Sequence, residues 1–128
     1  MTIVGPAVTE ARMRRATTRP HVALVRVAYL ELTFTVAAIG LVLETQGPQA
    51  AAGMVEALRR RMADLRARLQ AAPEYVTEAM VLAATKLEWD VDRLAQAMEG
   101  GLGKGEIEGL ILEVGEKTRD LDAACNRA

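Results

Sequence analysis

Glu31 is a carboxylate set inside the most apolar run of this chain, VALVRVAYLELTFTVAAIGLVL from Val22 to Leu43. A carboxylate stripped of water holds its proton more tightly unless a cation or a donor stands beside it. Such a group could bind a ligand or handle a proton in a core pocket. The plainer expectation is a salt bridge to an arginine of the second helix, or a polar residue that fixes the register of a helix pair. Structural ion pairs perturb carboxylates as catalytic sites do, so the plainer expectation is preferred here.

Two other stretches could hold anions. Gly100-Gly101-Leu102-Gly103-Lys104-Gly105 has the glycines and the lysine of a phosphate loop. The pattern needs Gly-x-x-x-x-Gly-Lys-Ser/Thr after a strand. Here Met98 occupies the first glycine position, Gly105 follows the lysine, and a helical pattern precedes. The stretch therefore reads as a turn between helices, with Lys104 and the free amides of a helix start as a candidate anion contact. The arginines Arg59, Arg60, Arg61, Arg66 and Arg68, with Arg12, Arg14 and Arg15 near the N-terminus, could meet the phosphates of a nucleic acid. Consecutive residues of a helix point in different directions, so only part of the cluster shares a face, and a solvated, ion-paired face is the simpler expectation.

Other chemistry lacks its residues. His21 is the sole histidine, Cys125 the sole cysteine, and the chain has no serine. No Glu-x-x-His pair exists for a carboxylate-bridged metal bundle. A hydrolase triad would lack a histidine placed with a serine or cysteine. Asp90-x-Asp92 and Glu106-x-Glu108 are two apart, so on helices they do not share a face. No cofactor is expected, and the chain is expected to be non-enzymatic.

These residues have to be positioned by helices. Val22, Val25, Tyr29, Leu32, Val36, Ile39 and Leu43 step by threes and fours, the stripe of a helix packed lengthwise on others. A second stripe, Leu24, Val27, Phe34, Ala38 and Leu41, follows the same step with Glu31 in its middle. A helix apolar on two faces is normally buried on both. Leu24, Val27, Glu31, Phe34 and Leu41 are therefore the candidate interface, and a homodimer or a helical protein partner is expected. A membrane span is disfavoured, because Arg26 and Glu31 interrupt the run and leave a clean apolar remainder, Leu32 to Leu43, of core-helix length.

Three further helices are expected. The second runs from Gln49 to Gln70 with Ala51, Val55, Leu58, Met62, Leu65 and Leu69 inward. The third enters at Pro73 with Glu74 in its first turn and carries Val76, Met80, Ala83, Leu87, Val91, Leu94 and Met98; Trp89 lies off that stripe. The last starts between Lys104 and Glu106 with Ile107, Leu110, Val114, Thr118, Leu121 and Cys125, and close packing is expected at its Gly109 and Gly115. The second helix is net positive and the third net negative, which favours them as neighbours. Gly5 and Pro6, with four arginines against Glu10, mark residues 1–19 as a basic, flexible arm ahead of a domain spanning 20–128.

The fold expected is all-α, an antiparallel up-down four-helix bundle preceded by that arm. Aromatic residues are 3% of the chain, so the core must be aliphatic, and base stacking on single strands is disfavoured. The net charge of −1 gives no global pull toward nucleic acid or membrane. A single cysteine and the lack of a signal-peptide pattern suggest a cytoplasmic protein. The expected function is an adaptor, chaperone or assembly subunit acting through buried helix surface. A nucleic-acid-binding bundle and a small-molecule or enzymatic bundle built on Glu31 are the alternatives.

Overall fold

The computed structural model describes the backbone of residues 6–71 and 73–127, and side chains for 20–71 and 73–127. Within them the chain is helical: α1 (Pro6–Gln46), α2 (Pro48–Ala52), α3 (Val55–Ala71), a 3₁₀ turn (Pro73–Tyr75), α4 (Glu78–Glu99) and α5 (Lys104–Asn126). No strand occurs among the described residues.

α1 does not break at Pro20, as the expected arm required; it continues on the N-terminal side to Pro6. A proline at a first helical position costs nothing, because its missing N–H would be unpaired there anyway. The residues after it, rich in alanine and arginine, are good helix formers. Pro20 forgoes one backbone bond, and the helix carries that loss.

The turns follow from glycine geometry. Gly47 ends α1 at φ 93° and donates its N–H to the carbonyls of Val42 and Leu43. Gly101 ends α4 at φ 70°, where Leu102 N–H returns to Ala97 O. A side chain is strained at such φ, and glycine is not.

The second helix is divided, against expectation. At Gly53 and Met54 the bonding tightens to Gly53 N–H on Ala50 O and Met54 N–H on Ala51 O before α3 begins. Glycine is a weak helix former, so the break falls there. The third helix likewise starts later than expected. Thr77 is its N-cap and accepts from Met80 N–H at 3.2 Å. Glu78, not Glu74, is the acid in its first turn, and Pro73 opens the 3₁₀ turn.

The core is one aliphatic cluster. Val25, Leu32, Ile39 and Leu43 of α1 are buried with Leu58 and Leu65 of α3, Met80, Leu87, Leu94 and Met98 of α4, and Ile107 and Leu121 of α5. α1 packs on α2, α3 and α5, and α4 packs on α2, α3 and α5. Polar pairs show how the helices lie. Glu44 near the end of α1 meets Lys104 at the start of α5 at 3.1 Å, while Arg26 bonds Asn126 at the far end. Arg59 pairs with Glu99 and Arg66 with Glu88 between α3 and α4. Arg93 meets Glu113 at 3.0 Å between α4 and α5.

Gly109 and Gly115 have no heavy atom of a neighbouring element within reach of an added Cβ, so the close packing expected there is absent. Each glycine only adds unfolded-state freedom within a helix. Gly109→Ala is expected to stabilise the protein by about 1 kcal/mol. Urea denaturation monitored by circular dichroism checks this, and a loss of stability would mean that the site is not open.

Candidate interaction surface

The inward side of α1 is sealed and its outward side is not. Between His21 and Leu43 the exposed positions are Ala23, Leu24, Val27, Leu30, Thr33, Phe34, Ala37 and Leu41. None is charged. Phe34 is 71% exposed and Leu41 64%. The expected interface residues Leu24, Val27, Phe34 and Leu41 thus share one uncovered face. Leu30 and Ala37 belong to it as well, and the sequence reading missed them. The signal was available, since Val27, Leu30, Phe34, Ala37 and Leu41 step by 3, 4, 3 and 4.

The threonine hydroxyls beside this face are satisfied within the helix. Thr33 donates its hydroxyl to Tyr29 O at 2.8 Å, Thr35 to Glu31 O at 3.0 Å and Thr45 to Leu41 O at 2.8 Å. Hydroxyls that back-bond to the preceding turn leave little that water must solvate. Glu31 is half-buried at the edge of the face and accepts from Arg61 of α3 at 2.9 Å. It stands at a helix boundary rather than in a core pocket. An outward stripe free of uncompensated charge is the surface expected of a contact site.

By length and composition Pro20–Gln46 is also enough to cross a membrane, with mean hydropathy 1.8 in its most apolar window. The core helix of a soluble protein passes the same test, and 39% of this window is buried against its own chain.

The other sequence candidates are dispersed. Arg59, Arg61 and Arg66 are each tied to an acid of α4 or α1, and Arg60 stands exposed. Arg12, Arg14 and Arg15 carry side chains outside the described ones. Lys104 lies between Glu44 and Glu108, and the Glu44 carboxylate raises its pKa, so the lysine of the glycine turn is already partnered. Trp89 is 68% exposed on α4, away from the core. Among the described residues no group of three or more His, Cys, Asp or Glu could hold a metal.

Three features were not singled out from sequence. Asp90 is only 7% exposed and sits between Lys117 at 3.3 Å and Arg93 at 3.6 Å, an ion cluster that ties α4 to α5. An apolar groove of about 340 Å³ lies where the end of α3, the 3₁₀ turn and the start of α4 meet; Met62, Leu69, Pro73, Val76, Val81 and Ala84 form its floor and walls. Tyr29 donates its hydroxyl to Asp122 beside the buried Cys125. Burial pushes the Cys125 thiol up to about 11, against the opposing pull of Arg26. Burial, then the Asp122 carboxylate, raises the Tyr29 phenol above its usual range. A thiol held neutral is a poor nucleophile, so this cluster reads as packing.

No known protein family, characterised protein or solved structure matches the chain.

Two outcomes follow from these geometries. The Glu31–Arg61 pair is half-solvated, so Glu31→Gln is expected to cost no more than about 1 kcal/mol in denaturant melts. A much larger loss would mean a buried carboxylate. Cys125 and Tyr29 have raised folded-state pKa values. Their stabilising contribution is complete below the unfolded values, and it is lost as pH climbs from about 9.0 through about 11 for the thiol. The melting temperature should therefore fall over that range, and Cys125→Ala should flatten the early part of the decline.

Proposed function

We propose that this chain is a non-enzymatic helical interaction protein that acts by burying the outward face of α1, and that its first partner is a second copy of itself. The observation that carries this reading is the uncovered stripe of Leu24, Val27, Leu30, Phe34 and Leu41. It is backed by a helix whose opposite side is already committed to the core. Covering that stripe against another apolar surface is worth roughly 25 cal/mol per Å² removed from water. Water itself offers nothing comparable, since the hydroxyls beside it are turned back onto their own helix.

The scaffold in this reading is an antiparallel up-down bundle of α1, α3, α4 and α5, with α2 as a short lead-in to α3. The end-to-end pairs Glu44–Lys104 and Arg26–Asn126 support it for α1 and α5. Arg59–Glu99 and Arg66–Glu88 support it for α3 and α4, and the short turns join neighbours only. A rigid bundle suits a contact protein, because its interface is held in place before binding and loses little freedom on association.

Light scattering on the full chain should give the mass of a dimer. Phe34→Glu should give a monomer with unchanged helical circular dichroism, a loss of roughly 2 kcal/mol or more in association, the scale of a central aromatic anchor. A wild-type monomer across the micromolar range would overturn self-association.

A further inference from the structure

We infer that two copies pair antiparallel along α1, with Phe34 of each packed on Ala37 of the other. This rests on the self-association proposed above and adds its geometry. Along the exposed stripe the bulkiest side chain, Phe34, stands one turn from the small Ala37. Leu30 and Leu41 flank that central group on either side. A twofold axis perpendicular to the helix, passing between Phe34 and Ala37, sets Phe34 on Ala37 twice and Leu30 against Leu41 twice. Facing large residues with small ones is how packed helix layers fill space without voids. A parallel pairing would instead stack Phe34 on Phe34 and leave Ala37 facing Ala37, crowded at one level and empty at the next.

Charge along the border of the stripe agrees. The border next to α5 carries Arg26 at one end and Glu44 at the other, as their bonds to Asn126 and Lys104 of α5 show. In an antiparallel pair the equivalent borders of the two helices meet, and the same axis brings Arg26 of each copy level with Glu44 of the other. At both ends Arg26 then meets the Glu44 carboxylate that Lys104 of the other copy already holds at 3.1 Å, a contact that selects register and orientation more than it adds affinity. The interface is isologous, so it closes on itself and stops at two chains.

Disulfide trapping tests the register, in full-length protein carrying Cys125→Ala. In the antiparallel pair the two copies of residue 30 lie roughly 16 Å apart along the axis at 1.5 Å per residue, as do the two copies of residue 41. That is beyond disulfide reach, whereas residue 30 of one copy faces residue 41 of the other. Leu30→Cys alone and Leu41→Cys alone should therefore run as single chains on non-reducing gels after mild oxidation. The double variant Leu30→Cys/Leu41→Cys should run as a covalent dimer that reductant dissolves. Both positions are exposed, and circular dichroism of each variant confirms that the fold is kept. Self-linking of each single variant would mean a parallel pairing and overturn this inference while leaving the interaction function intact. A wild-type dimer in which the double variant does not link would place the contact elsewhere, with the same consequence for the inference. A wild-type monomer that binds phosphatidylcholine vesicles would make a lipid surface the occupant of the face and overturn both readings.

Discussion

The central constraint in this structure is that α1 must remove its inner seam from water. Val25, Leu32, Ile39 and Leu43 are essentially unexposed, and α2, α3 and α5 all lie against the helix that carries them. A single helix cannot bury such a seam against itself, and it is the neighbours that make the long helix stable. With aromatics scarce, the seam is met by leucine, valine, isoleucine and methionine, which interdigitate at close range. Leu94 and Leu121 on helices that follow are as fully enclosed as Leu32.

The polar structure is arranged around that seam and does not compete with it. Most ion pairs sit at helix boundaries, where the charges remain partly hydrated: Glu31–Arg61, Arg59–Glu99 and Arg93–Glu113. Each contributes little, but together they oppose wrong helix neighbours. Asp90 is the exception. It is enclosed between α4 and α5 and relies on Lys117 and Arg93 to offset its desolvation. Between His21 and Leu43 the exposed positions of α1 carry no charge.

Much of this was legible in the residues. The stripes from Val22 to Leu43 and from Met80 to Met98 predict buried faces that the structure contains, because a helix repeats every 3.6 residues and hydrophobic burial follows that repeat. Of the residues read as members of such stripes, Val76 precedes α4, Leu69 lies in the last turn of α3 and Leu110 at an edge of α5, and all three are only partly covered. The salt bridge expected for Glu31 was a matter of type, and Arg61 as its partner was not predictable, since three adjacent arginines compete and only the relative rotation of α1 and α3 selects one. The division of α2 from α3 at Gly53, and the delay of α4 to Glu78, were misread for a related reason. Apolar spacing runs through both places, while the backbone bonds that interrupt it depend on glycine and on the Thr77 cap.

By itself, then, the sequence determined which residues are apolar, with what period, and where glycine or proline must turn the chain. Those are local properties, set by side-chain type and backbone sterics. Only the tertiary structure decided which of the two apolar faces of α1 is covered. It also decided that Asp90 is enclosed while Asp92 is exposed, and that the glycines of α5 face open space. Burial depends on the positions of other helices, and one helix's periodicity carries no information about where its neighbours stop. The outward stripe from Leu24 to Leu41 was visible as a pattern, but its exposure was fixed by the packing of α3 and α5 against the other side of the same helix.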